Sequence, residues 1–135
     1  LEFRRVLFRS GYDIDERIKN KPDLQCRDLF DIDDNADVVI CLEVAEHIES
    51  EKNDQIVDAV IKTLKPGATL IWTAAKPGQG GVGHINCQEK DYWHSLFTAK
   101  GLTENLEMTE HLKQDMQQGY HMGWFIQNLL VLQNV

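Results

Sequence analysis

Apolar and polar positions change period along this chain, and the changes predict its elements. Residues 36–44 (ADVVICLEV) form a nearly continuous β-branched and apolar run, the pattern of a strand buried on both faces of a parallel sheet. After Ser50 the period becomes helical: Ile56, Val57, Val60, Ile61 and Leu64 share one face, and Lys65-Pro66-Gly67 stops the helix. Residues 69–75 (TLIWTAA) return to strand and lead into a glycine-rich loop over 77–83. Tyr92, Trp93, Leu96 and Phe97 describe an amphipathic helix within 88–100, closed by Gly101. Shorter segments complete the pattern: a strand end near 11–15, a strand at 24–26 after Pro22, a strand over 102–108, a helix over 109–118 and a final strand over 124–132. This alternation predicts an α/β fold with a mostly parallel sheet, and the lack of a long crossover before the last strand makes the final two strands an antiparallel edge. Trp72, Trp93 and Trp124 fall in core patterns and read as packing, while His94, His111 and His121 fall on helix surfaces or near a turn.

Residues 1–10 (LEFRRVLFRS) stand apart from this pattern. Three arginines interrupt the apolar core a secretory signal would need, and the decapeptide matches the translation of a common short-read sequencing adaptor. It is expected to be a non-native scar, with the native chain represented by residues 11–135. The whole chain has 14 basic against 22 acidic residues, a net charge of −8, so it has no long-range pull on nucleic acid or anionic lipid. With 42% apolar and 27% charged residues the composition is that of a globular domain. No apolar run approaches the roughly 18 to 20 residues of a membrane-spanning helix. Cys26, Cys41 and Cys87 form neither a C-x-x-C pair nor an even framework, which points to a reducing, cytoplasmic setting.

In an open parallel sheet ligands bind beyond the carboxyl ends of the strands, and here those ends carry acids. Asp13, Asp28 and Glu43 follow successive strands, with Glu46 and His47 just behind Glu43. Acids so placed can accept hydrogen bonds from ribose hydroxyls and an adenine amino group; the plainer reading is that Asp13 and Asp28 cap turns. Glu43, Glu46 and His47 lie at i, i+3 and i+4, on one face if the strand turns into helix at Glu43. Two carboxylates and an imidazole can hold a divalent ion such as Mg2+, with His84 as a further ligand, or Glu46 and His47 can serve capping instead. Without an ion, His47 or His84 can act as a general base. The loop also contains G-x-G-x-x-G over residues 78–83, which raises an NAD-binding oxidoreductase. Lys76-Pro77 before the first glycine and His84-Ile85-Asn86 after the last weaken that reading, and Glu104 is poorly placed as the distal acid.

The succession G-Y-D, C-R-D, DVVICLEVAEHI and LKPGATLIWTA resembles the class I S-adenosylmethionine (SAM)-dependent methyltransferases, over nearly all of residues 11–135. The resemblance implies a Rossmann-like sheet, with Asp13 on the cofactor ribose, Asp28 and Leu29 at the adenine, and Cys41, Leu42 and Glu43 on the methionine side. Glu43-x-x-Glu46-His47 is similar to the metal-binding E-x-x-E-H of ubiquinone-pathway O-methyltransferases and small-RNA terminal 2′-O-methyltransferases, although metal-free relatives carry the same letters. The glycine loop becomes a cover on the substrate side, with His84 and Asn86 facing the acceptor. The implied activity is methyl transfer from SAM to a hydroxyl. A small molecule or glycan suits the acidic charge better than an RNA terminus, and no membrane partner is implied. A non-catalytic nucleotide- or partner-binding domain is the alternative from another class. The family's acid-x-G-x-G-x-G loop does not occur in these residues. The chain is therefore expected to be a fragment lacking the first strand and helix, that strand lying in the family between those ending here at Asp13 and Glu43. Losing a shared central strand leaves backbone groups unpaired. Residues 11–135 alone are accordingly predicted to be unstable, cofactor-free and inactive; a cooperative thermal melt together with tight SAM binding would contradict this.

Overall fold

The computed structural model describes residues 11–119 and 123–135; the expectations for residues 1–10 and for His121 lie outside the described residues. The chain divides into two compact units, one ending at Ile32 and one spanning Asp33–Val135.

In the first unit, strands β1 (Gly11–Asp13) and β2 (Leu24–Cys26) pair in parallel, Gly11 opposite Leu24 and Asp13 opposite Cys26. A 3-10 turn at Glu16–Ile18 connects them, capped by Asp15, whose side chain accepts from the Arg17 amide at 2.8 Å. Asp28 caps a second such turn at Leu29–Asp31.

The second unit contains strands β3 (Ala36–Leu42), β4 (Leu64–Thr73), β5 (Leu102–Glu104) and β6 (Leu130–Asn134), with helices α1 (Asn53–Lys62), α2 (Lys90–Ala99), α3 (Leu106–Gly119) and α4 (Gly123–Asn128). Its sheet has the order β3-β4-β6-β5. β3 and β4 are parallel, and β6 is antiparallel to both of its neighbours. Three strands thus run one way and β6 alone is reversed, giving the mostly parallel α/β sheet with an antiparallel edge that the pattern predicts. Leu130, Val131 and Leu132 are all fully buried, which suits a strand paired on both sides. Trp72 of β4 stacks between Trp93 and Phe97 of α2, with ring centroids 5.2 and 5.0 Å away, while Ile56, Val57 and Val60 bury the inner face of α1.

Four local differences from the sequence pattern have identifiable causes. β3 is not buried on both faces: Val38 and Ile40, on one face, are 53% and 44% exposed, because only the opposite face, which carries Cys41, turns to the core. α1 stops at Lys62, where Thr63 Oγ1 donates to the Val60 carbonyl at 2.7 Å. Lys65-Pro66-Gly67 then falls inside β4, where the register slips opposite residues 36–38 and Gly67 takes φ +78°. β5 is short and α3 starts early because Asn105 caps the helix, accepting from the Met108 amide at 3.0 Å through its side chain. Residues 124–132 are helix α4 followed by β6 rather than one strand: Phe125, Ile126, Leu129 and Leu130 bury at helical spacing up to the turn.

Removal of the aromatic centre should dominate stability. Trp72→Ala is predicted to cost about 3–5 kcal/mol and Val38→Ala under about 0.5 kcal/mol, as read from urea denaturation followed by circular dichroism.

Candidate functional site

The site begins where β3 ends. Glu43 leaves the strand in the left-handed region at φ +54°, an uncommon conformation for a residue with a side chain, while its amide still donates to the Thr73 carbonyl at 3.0 Å. The chain then forms a 3-10 turn at Ala45–His47. The expected helix starting at Glu43, with Glu43, Glu46 and His47 on one face, is therefore corrected: the left-handed residue breaks that geometry and separates Glu43 from the turn. The Glu46 carbonyl accepts from the amides of Ile85 and Asn86 at 2.8 and 3.1 Å, docking the segment after β4 onto the turn. Asn86 secures this junction by donating from Nδ2 to the Ala45 carbonyl and to Asn53 Oδ1. It is buried, with its side-chain amide engaged at this junction.

This docking gathers Glu46, His47 and His84. One ligating atom from each lies within 4.8 Å of the others, and the two imidazole centroids are 5.1 Å apart. His47 Nδ1 lies 3.1 Å from the Gly83 carbonyl, and His84 Nδ1 lies 3.3 Å from that of Gln79. A carbonyl only accepts, so each contact assigns a proton to Nδ1 and, in the neutral ring, leaves Nε2 as the ligating nitrogen, the arrangement of a metal-bound histidine. The loop glycines make this possible. A β-carbon on Gly81 would collide with the His84 ring, and Gly83 sits at φ +77° against His47. They seat imidazoles; they do not cradle a pyrophosphate, since α2 begins only at Lys90.

Glu46 is 0% exposed, and neither of its carboxylate oxygens has a hydrogen-bond partner among the described residues; the same holds for Glu43 Oε1. Burial, then the backbone of the turn in opposition, then the neighbouring Glu43 carboxylate set its acidity, and the net effect pushes the Glu46 carboxyl up to about 7. Glu43 is not in the close trio, but it sits beside Glu46 and is held by Gln79, whose Nε2 donates to Glu43 Oε2 at 2.9 Å. His84 Nε2 lies 3.9 Å from Glu46 Oε1. Orphaned buried carboxylate oxygens gathered with two imidazoles fit a divalent cation. Two nitrogens in the set suit a first-row transition ion, of which Mn2+ is a convenient probe, better than Mg2+.

The cluster opens on a cleft of about 550 Å³ lined by Glu43, Gln79, Gly80, His84 and Trp124. Trp124 is 43% exposed and forms part of this wall, which corrects its reading as core packing; in helix α4 it lies on the face opposite the buried Ile126 side of the turn. Trp72 and Trp93 are buried as expected. Cys41 is buried, and burial pushes its thiol up to about 12, so it stays protonated beside the half-buried Leu42 and Glu43. In the first unit, Asp13 ends β1 and Asp28 lies two residues beyond β2; both are exposed, and each holds a local turn, accepting through Oδ1 from the amides of Asp15 and Phe30 at 2.9 and 3.0 Å. Leu29 is half-buried next to Asp28. Gln79 and Trp124 escaped the sequence reading because neither carries charge or falls in a metal-ligand spacing; the interrupted glycine run was the one pointer to Gln79.

The sheet order, the reversed β6 and loops carrying polar groups at the carboxyl ends of β3 and β4 define a Rossmann-like methyltransferase fold. A solved SAM-dependent methyltransferase from Archaeoglobus fulgidus superposes with a TM-score of 0.63 at 12% identity, covering 91% of this chain and 74% of its own. The [4+2]-cyclase SpnF aligns at a TM-score of 0.50 and 16% identity, over 82% of this chain and 55% of its own length. No protein-family model matches the chain, and no curated protein matches it either. No helix among the described residues is long and apolar enough to cross a membrane.

The raised acidity of Glu46 has a definite sign. The folded state holds that proton more tightly than the unfolded state, so the contribution is fully present below the ordinary carboxyl range and is lost as pH rises through about 7. In EDTA the thermal midpoint should fall between pH 5 and pH 8, Glu46→Gln should flatten that fall, and Mn2+ should stabilise more at pH 8 than at pH 5 because binding displaces the proton.

Proposed function

We propose that this chain serves transfer of a methyl group from SAM to an acceptor hydroxyl, with a divalent ion held by Glu46, His47 and His84 and flanked by Glu43. The observation that carries the reading is the pair of unpartnered buried carboxylate oxygens on Glu46, gathered with the imidazoles of His47 and His84 beside an open cleft that His84 and Glu43 line. When bound, such an ion supplies Lewis acidity that lowers the pKa of a nearby hydroxyl. His84 and Glu43 form the polar wall against which the acceptor oxygen is placed, and Trp124 offers it an apolar face. In the first unit the exposed Asp13 and Asp28, with Leu29, are suited to ribose hydroxyls and an adenine amino group, and in the second unit Cys41, Leu42 and Glu43 are suited to the methionine side of SAM. The cleft volume favours a small molecule or a glycan end over a long polymer, and three free cysteines suit a cytoplasmic setting. A second reading has a specific support: His84 lines the cleft with Glu46 behind it at 3.9 Å, so it can take the acceptor proton as a general base and be stabilised as the imidazolium.

Titrating Mn2+ into the chain in the cold, followed by electron paramagnetic resonance, separates these possibilities. One ion should bind, with affinity lost at least about tenfold in Glu46→Gln and in His84→Ala. Unchanged binding in both variants rejects the ion site. Any transfer of labelled methyl from SAM to phenol, glycan or RNA acceptors should stop in EDTA. Transfer that survives EDTA but fails in His84→Ala assigns the base reading.

A further inference from the structure

Gln79 makes four polar contacts that tie together elements far apart in the chain. Its amide donates to the Lys76 carbonyl at 3.0 Å, closing the turn out of the segment after β4. Its side-chain Nε2 donates to Glu43 Oε2 at 2.9 Å, and its Oε1 accepts from Asn128 Nδ2 at 2.9 Å. Its main-chain carbonyl accepts from His84 Nδ1 at 3.3 Å. Asn128, 3% exposed at the end of α4, is itself fixed by the buried start of β6. Gln79 therefore spans from the helix that carries Trp124 to both walls of the cleft.

An amide suits this place: it donates to a carboxylate from Nε2 while it accepts from another amide at Oε1, which an ionised acid, a lysine or an apolar group cannot do. By occupying Glu43 Oε2 it leaves Oε1 as the oxygen without a partner, and it fixes a carboxylate whose backbone is held in the left-handed region. By accepting from Nδ1 through its backbone it fixes which nitrogen of His84 carries the lone pair.

We propose that Gln79 is the positioning residue of this site: anchored by Asn128, it sets the presented oxygen of Glu43 and the tautomer of His84. The inference rests on the ion-site reading for its purpose, and its test separates the two. With the full chain labelled with 15N-histidine, long-range 15N–1H correlation spectra report the tautomer of each ring directly, and Mn2+ titration reports the site. In the unsubstituted chain His84 should be a single Nδ1–H tautomer. Gln79→Leu keeps the main-chain carbonyl but loses the two side-chain bonds that hold it in place, to Glu43 and Asn128, so it should make the tautomer a mixture and weaken Mn2+ binding about 10- to 100-fold, the usual cost of losing a group that orients metal ligands. Gln79→Asn, one methylene too short to reach both partners, should act in the same direction and carries the test if the leucine variant does not fold. A His84 tautomer unchanged in the variants overturns the positioning role whatever the ion does. Should the unsubstituted chain bind no Mn2+ while its His84 tautomer is lost in Gln79→Leu, the ion reading falls and the positioning role stands.

Discussion

Burying a carboxylate costs several kcal/mol unless its charge is compensated, and Glu46 is fully buried with both oxygens lacking a partner. The surroundings of this one group account for much of the second unit's design at the carboxyl ends of its strands. Its carbonyl collects two amides from the segment after β4, and Asn86 and Asn53 form a buried amide pair beneath that junction. The imidazoles of His47 and His84 are held by backbone carbonyls of the same loop. Each of these bonds fixes the acid in place, and none neutralises it. What remains to compensate it is a proton or a cation, and the two imidazole lone pairs beside it favour the cation.

The fold was legible because hydrophobic period is a direct record of burial. The helical spacing of Ile56, Val57 and Val60, and of Trp93 and Phe97, put α1 and α2 where they lie, and TLIWT marked the C-terminal half of β4. Legibility failed where a single residue decides a boundary. Asn105 starts α3 by a side-chain cap that competes with a strand reading of residues 105–108, and the apolar run through Leu132 contains helix and strand end to end with no polar break beyond Gln127-Asn128. At the site the letters Glu43, Glu46, His47 and His84 were readable as ligand chemistry, but their arrangement was not. It depends on a left-handed glutamate and on glycines that make room for a ring, neither of which leaves a periodic trace.

Fold likeness and site chemistry answer different questions here. At 12% and 16% identity, the resemblance to a SAM-dependent methyltransferase and to a [4+2]-cyclase concerns the path of the backbone. One of those two is described as a cyclase, which shows how far the chemistry on such a scaffold can move. The function assigned to this chain therefore leans on particular atoms: unpartnered oxygens, oriented imidazoles and the amide that links them.

The exposed face of β3 has a consequence of a different kind. An end strand that shows Val38 and Ile40 to solvent, within a β-branched stretch of low charge, is the type of segment that recruits further strands from other copies. Asp37 and Lys65, paired at 2.8 Å across the start of β3 and β4, place charge at one end of that stretch and act as gatekeepers there. The middle of the strand, Val38 to Ile40, has no such guard of its own sequence, so the solubility of this chain leans on a single ion pair at the strand's start.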